Sequence, residues 1–118
     1  MIVFKCLAPS RIHELEASPC VYVIFLGLEP LYVGSTSNAR RRAKQHFVHG
    51  NSILAEKLSR ALGKEKAMEM LSRTVLCVHY TKNLDEAQEL ERELIAMLQP
   101  RMNTKFVKKK RCPKNLRG

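Results

Sequence analysis

The chain has 118 residues, of which 45% are hydrophobic, and 21 Lys and Arg against 11 Asp and Glu give it a formal net charge of +10. This length allows one domain with a modest core, and the excess of positive charge indicates a polyanionic partner. No apolar run has the length of a membrane span. Charged side chains interrupt the amino terminus where a signal peptide would be apolar. We therefore expect a cytoplasmic or nucleoid-associated protein that is neither membrane-bound nor secreted.

The cysteines are widely scattered, at positions Cys6, Cys20, Cys77 and Cys112, and no Cys-x-x-Cys pair occurs. This spacing predicts free thiols in a reducing compartment in preference to a zinc site or a disulfide framework.

Residues 1–18 form a lead-in segment that we expect to pack on the domain. The β-branched and aromatic run at 21–26, a turn at 27–30 and a second apolar run at 31–33 predict a β-hairpin. Polar residues at 35–38 are typical of a helix N-cap and predict a helix to about Phe47.

A second helix is predicted over 52–71, and Gly63 in its middle either weakens it or splits it in two. Residues 74–78 predict a third strand. The last helix starts after Asn83, with Glu86 in the capping-box position, and ends at Leu98. These elements predict an α+β fold in which helices flank a small, mainly antiparallel three-stranded β-sheet.

The last helix carries an acidic residue where its periodicity predicts burial. Ala87, Leu94 and Ile95 belong to an apolar stripe, and Glu91 projects from the middle of it. A buried carboxylate needs a cation or several hydrogen-bond donors. The sequence leaves two partners open for Glu91, a divalent metal or an arginine.

The first helix places His46 on its inner face with Arg42 at the edge, whereas Arg41 and Lys44 point outward. The alternative is a basic surface helix that only attracts nucleic acid. Tyr22 and Tyr32 alternate in phase on the two hairpin strands, so both hydroxyls can lie on one face of the sheet. Each tyrosine read alone is also compatible with a place in the core.

Four segments, in order and with compatible spacing, resemble the GIY-YIG nuclease superfamily over roughly residues 19–104. They are a degenerate first motif Cys20-Val21-Tyr22, the second motif Tyr32-Val33-Gly34, the following helix with Arg42 and His46, and the Glu91 helix with the closing Gln99-Pro100-Arg101-Met102-Asn103. The resemblance implies a domain at 19–104 between the lead-in segment 1–18 and a basic C-terminal tail at 105–118.

The resemblance also implies roles for these residues in a metal-dependent endonuclease that acts on DNA. Glu91 would hold one Mg²⁺ or Mn²⁺, and Tyr32 would be the general base with Tyr22 or His46 assisting. Arg42 would stabilise charge on the phosphorane, and Asn103 would help to position the phosphate. A further set of basic side chains would contact DNA phosphates: Arg40, Arg41, Lys44, Lys108, Lys109, Lys110 and Arg111.

Substrate choice stays open at this stage. We expect a stand-alone nuclease of repair, recombination or a mobile element that takes its specificity from DNA shape or from a partner protein. The competing hypotheses are a non-catalytic basic nucleic-acid-binding module that retains the nuclease fold, and an RNA-binding or ribosome-associated protein.

Overall fold

The computed structural model describes residues 2–103 and shows a four-stranded antiparallel sheet with helices on both faces. The order of the strands across the sheet is β1-β4-β2-β3. Their bounds are β1 Lys5–Leu7, β2 Cys20–Leu26, β3 Glu29–Thr36 and β4 Val75–Tyr80. The predicted α+β class and the β2–β3 hairpin are confirmed, and the sheet has one strand more than predicted.

The additional strand comes from the lead-in segment. In β1, Cys6 lies directly opposite Cys77 of β4, and a disulfide joins the two residues. The prediction of free thiols is therefore wrong for this pair, because the sequence pattern did not show that residues 5–7 pair with β4. Cys20 is a buried free thiol, and Cys112 lies outside the described residues.

The rest of the lead-in segment supports the start of the first helix. A short 3₁₀ helix, Pro9–Glu14, follows β1. Beyond it, the carbonyl of Ser18 accepts from the Ala39 amide at 2.9 Å, and the carbonyl of Glu16 accepts from the Arg40 amide at 3.1 Å. These amides begin a helix and have no partner within it, so the segment satisfies groups that would otherwise need water.

Residues 2–103 contain four α-helices, and the predicted caps start the first and the last of them. Asn38 accepts from the Arg41 amide and starts α1, and Asn83 accepts from the Glu86 amide and starts α4. Gly63, with φ of 89°, separates α2 from α3, so the split version of the predicted second helix is confirmed. The bounds are α1 Ala39–Lys44, α2 Ile53–Leu62, α3 Lys64–Ser72 and α4 Leu84–Leu98. None of the helices in residues 2–103 is both long and apolar enough to cross a bilayer.

The helices form two hydrophobic clusters, one on each face of the sheet. Helices α1 to α3 pack over Tyr22 and Ile24, and α4 packs over Val21, Val23 and Val33. Strand β3 is the edge strand on one side. Side chains from both faces therefore meet at its open edge, and the candidate site lies there.

Residues after α4 return to that edge. The Met102 amide donates to the Leu31 carbonyl at 2.9 Å. The Val33 amide donates to Asn103 Oδ1 at 2.8 Å, and Asn103 Nδ2 donates to the Val33 carbonyl at 2.8 Å. The side-chain amide of Asn103 thus pairs with β3 as a neighbouring strand would.

Candidate active site

A polar cavity of about 280 Å³ opens at the β3 edge and is lined by most of the residues predicted to be catalytic. Its lining comes from β3, α1, α2, α4 and the segment after α4. The lining residues are Tyr32, Gly34, Ser35, Arg42, Ile53, Lys57, Gln88, Glu91 and Asn103. Of the six residues predicted to be catalytic, four line this cavity, and Tyr22 and His46 lie outside its lining.

Glu91 is the acidic residue in this lining. It is only 8% exposed, whereas Glu89 and Glu93 on the same helix are exposed, as the helical periodicity predicted. Its Oε1 accepts from the Ser35 hydroxyl at 2.5 Å, and within residues 2–103 it has no ion-pair partner. The structure therefore does not show the arginine partner that the sequence left open for Glu91.

The potential metal ligands around Glu91 fit one hard divalent cation. Mg²⁺ commonly binds one or two protein carboxylates and takes its remaining ligands from water and substrate phosphate. Within the described part of the chain, no cluster of three or more His, Cys, Asp or Glu side chains forms an all-protein metal cage. A single carboxylate facing a polar cavity is compatible with a Mg²⁺ or Mn²⁺ ion that completes its coordination with water and substrate.

Tyr22 and His46 form a buried hydrogen-bonded pair behind the cavity. His46 is 2% exposed, and its Nε2 lies 2.8 Å from the Tyr22 hydroxyl. Its Nδ1 lies 2.8 Å from the Ser52 hydroxyl, which also accepts from the Ala55 amide. A wide π-type turn, Gln45–His49, follows α1 and carries the imidazole into the core.

Burial, with Arg42 nearby, keeps His46 neutral. Burial, and secondarily the Arg42 guanidinium, lower the pKa of His46 to about 3. Arg42 can only donate, and it also interacts with the Tyr22 oxygen. We assign the phenol hydrogen to the bond with His46 Nε2 and the imidazole hydrogen to Nδ1, facing Ser52, because this arrangement gives both hydrogens an acceptor.

Tyr32 is the tyrosine that reaches the cavity. Its ring centroid is 6.4 Å from that of Tyr22 and 5.9 Å from that of His46, so the buried pair supports it from behind. Burial, and then the negative charge of Glu91, raise the pKa of Tyr32, and Arg42 opposes them. Tyr32 therefore keeps its proton at neutral pH unless positive charge is added beside Glu91.

Arg42 connects this site to a second cavity. Its Nε donates to Gln45 Oε1 at 2.9 Å, which fixes the guanidinium beside the phenols. The second cavity, of about 160 Å³, shares Tyr32, Arg42 and Ile53 with the first. One groove therefore passes over Tyr32, with Glu91 towards one end and His46 towards the other.

The remaining predicted residues lie outside the cavity lining. Arg41 and Lys44 are exposed on α1 as predicted. Arg40 is also exposed, but its Nε donates to the Leu15 carbonyl at 2.8 Å, so part of its guanidinium holds the lead-in segment. Lys108, Lys109, Lys110 and Arg111 lie outside the described residues.

Sequence reasoning missed several polar residues of the site, among them Ser35, Ser52, Lys57 and Gln88. Ser35 directly follows the second motif, and the strand alternation that places it beside Glu91 was a usable signal. Ser52 was predicted only as the start of the second helix, and its contact with His46 depends on the wide turn after α1. Lys57 gave no local signal, because its place in the cavity depends on how α2 packs.

A family model described as the GIY-YIG catalytic domain matches residues 18–105. The chain belongs to this family. The predicted GIY-YIG nuclease domain is thereby confirmed, and the structure shows its Tyr32, Arg42 and Glu91 at one cavity.

Relatives of known structure share the fold. The GIY-YIG N-terminal endonuclease domain of UvrC from Thermotoga maritima, bound to its catalytic magnesium, matches with a TM-score of 0.59 and 21% identity over 80% of this chain and 93% of that one. A point mutant of that domain, also bound to its catalytic divalent cation, matches with a TM-score of 0.62 and 20% identity over 80% of this chain and 93% of that one.

A full-length relative extends beyond this domain. UvrABC system protein C of Thermosipho africanus (strain TCF52B) is 28% identical over 107 residues, which are 91% of this chain and 17% of that protein. The chain thus spans about one sixth of the curated relative that it matches.

Proposed function

We propose that this protein is a metal-dependent endonuclease that hydrolyses DNA phosphodiester bonds. The observation that carries the proposal is the buried Glu91 carboxylate, which lacks an ion pair within residues 2–103 and shares one cavity with Tyr32 and Arg42. The net charge of +10 supports a nucleic-acid substrate.

In this proposal, Glu91 holds one Mg²⁺ or Mn²⁺ ion, and the Ser35 hydroxyl fixes the carboxylate that binds it. When bound, such an ion polarises the phosphoryl oxygen and favours deprotonation of water. Arg42 neutralises charge on the phosphorane, and Asn103, held on Val33, helps to position the phosphate.

Tyr32 is the proposed general base, since of the three candidates it alone lines the cavity with Glu91. Burial and Glu91 raise the pKa of Tyr32, and a cation held by Glu91 would lower it, so that Tyr32 as a phenolate would accept the proton of the attacking water. The phosphorus–oxygen bond to the leaving strand breaks, and the leaving oxygen takes a proton from solvent. His46 and Tyr22 assist by fixing the Tyr32 ring, because their hydrogen bonds to each other and to Ser52 hold both in one orientation.

The context that we propose is DNA repair in the cytoplasm or at the nucleoid, on branched or flapped DNA, with specificity supplied by DNA shape or by a partner protein. The curated relative carries the name of a UvrABC system protein, which supports a repair context. Arg40, Arg41, Lys44 and the basic tail 105–118 would add contacts to DNA phosphates.

The decisive experiment is a cleavage assay on supercoiled plasmid and on flapped and branched duplexes with Mg²⁺, with Mn²⁺ and with a chelator. We expect metal-dependent cutting that falls by about 10²-fold or more in Glu91→Ala, with salt-sensitive DNA binding retained. Glu89→Ala, which removes an exposed carboxylate from the same helix, is the matched control. Cutting that persists in Glu91→Ala would refute the metal assignment.

Two arginines on α1 distinguish the enzyme from a basic binding module of the same fold. Arg42 lines the cavity and Arg41 is exposed. We expect Arg42→Ala to lower the cleavage rate by about 10²- to 10³-fold and Arg41→Ala to weaken binding by only a few-fold. Similar, modest losses at both positions, without cleavage by the wild type, would favour the binding module.

A further inference from the structure

Lys57 places a second cation in the cavity that contains Glu91. It projects from α2, the helix that packs on the same sheet face as α1, whereas Glu91 comes from α4 on the opposite face. Lys57, Arg42 and Glu91 nevertheless line one cavity, because the cavity lies around the open edge of β3.

The ammonium group of Lys57 is held in place without being neutralised. Its Nζ donates to the Met102 carbonyl at 3.0 Å, which is a neutral partner. Within residues 2–103 it forms no ion pair. A fixed ammonium group has already lost much of the rotamer freedom that a flexible lysine loses on binding, and two of its three donors remain for an anion.

An anion that fits this position is a phosphate of the DNA backbone. A lysine ammonium repels a metal ion on Glu91 and so cannot share its ligand shell, whereas phosphates recur along each strand at about 3.4 Å of helix axis per residue. Arg42 is fixed beside Tyr32 by Gln45, and in the proposed mechanism it contacts the phosphate that reacts. Lys57 is therefore available to bind the phosphate next to the reacting one.

We propose that Lys57 forms a phosphate-binding subsite for the nucleotide adjacent to the cleaved bond and thereby sets the position of the strand in the cavity. This inference rests on the proposed nuclease function. It adds a phosphate contact from α2, a helix for which the sequence predicted no role in the site.

The subsite is tested by a double-mutant cycle between the protein and the DNA. A duplex that the wild type cuts at one position is synthesised with a single neutral methylphosphonate in place of each phosphate flanking that position. Cleavage with Mg²⁺ is measured for the wild type and for Lys57→Ala. At one flanking phosphate we expect neutralisation to lower kcat/KM of the wild type by about tenfold and to have little effect on Lys57→Ala.

Two further variants separate charge from a purely structural role through Met102. Lys57→Arg keeps a donor and a positive charge and should retain most activity. Arg60→Ala removes a cation from the exposed surface of the same helix, outside the cavity lining. We expect the slope of log K against log salt for DNA binding to fall by about 1 in Lys57→Ala and to be less affected in Arg60→Ala.

The outcomes distinguish this inference from the function on which it rests. No metal-dependent cutting by the wild type would refute the nuclease. Cutting that depends on Glu91, with full activity in Lys57→Ala, would overturn the subsite alone. Loss of activity in Lys57→Ala without coupling to either flanking phosphate would also overturn it, because the side chain would then act only by holding the Met102 carbonyl.

Discussion

Gly34 is the glycine of the second motif, and the structure leaves no space for a side chain at this position. It lies directly opposite Tyr22 in the β2–β3 pair. Its φ is not positive, unlike that of Gly27, Gly50 and Gly63, so its backbone conformation is open to other residues. A Cβ atom at position 34, however, would lie 2.5 Å from Tyr22 Cζ, 2.9 Å from Cε2 and closer still to the hydroxyl oxygen.

We therefore expect Gly34→Ala to displace the Tyr22 ring, because β2 is held in the ladder on both sides by β3 and β4. Overpacking of a core costs about 1–3 kcal/mol. If the ring turns away from His46, the lost buried hydrogen bond adds about 1–3 kcal/mol. The free energy of unfolding should fall by about 2–6 kcal/mol in total, and the cleavage rate should also fall because Tyr32 loses its support.

Urea denaturation of the wild type and of Gly34→Ala measures this loss. The same substitution in a Tyr22→Leu background is the control, since the shorter side chain leaves room for the new methyl group. We expect Gly34→Ala to cost clearly less there. A cost within about 0.5 kcal/mol of zero in the wild type, or an equal cost in both backgrounds, would refute the steric explanation.

Three further predictions follow from buried contacts. Burial lowers the pKa of His46 to about 3 in the folded protein, from 6.5, so the unfolded chain takes up a proton first as the pH falls. Relative to His46→Gln, the free energy of unfolding of the wild type should drop by up to about 1.4 kcal/mol per pH unit between these two pH values. Equal pH dependence of the two proteins would contradict the burial of His46. Cys6 should resist alkylation in the denatured, unreduced chain, and full alkylation would show that the disulfide with Cys77 does not form. Cys6→Ser should lower the free energy of unfolding, measured by urea denaturation, by about 2–4 kcal/mol. Asn103→Ala removes both hydrogen bonds to Val33 and should cost about 1–3 kcal/mol in thermal unfolding, whereas an unchanged melting temperature would show that β3 does not need this partner.

The sequence predicted the parts of the site whose position depends on local periodicity. Glu91 was identified because a charge in an apolar helical stripe is conspicuous, and the inward face of His46 followed from the same spacing. Strand alternation similarly placed Tyr22 and Tyr32 on one face.

What the sequence could not predict depends on long-range packing. Strand β1 has three residues, too few for a periodic pattern, and its pairing with β4 made Cys6 and Cys77 neighbours across 71 positions. Lys57 enters the cavity only because α2 packs beside the β3 edge. The contact between Ser52 and His46 likewise needs the wide turn after α1, which α-helical spacing does not describe.

The pairing of β3 with the residues after α4 also affects how the molecule behaves towards other copies of itself. An edge strand with free amides and carbonyls is a template on which another chain can add a strand, which leads to aggregation. Here the Met102 amide occupies the carbonyl of Leu31, and the Asn103 side chain occupies both the amide and the carbonyl of Val33. The strand that carries Tyr32 can therefore leave its side chains open to a long polymer, while the bonds at Leu31 and Val33 hinder the addition of another strand along the middle of its backbone edge.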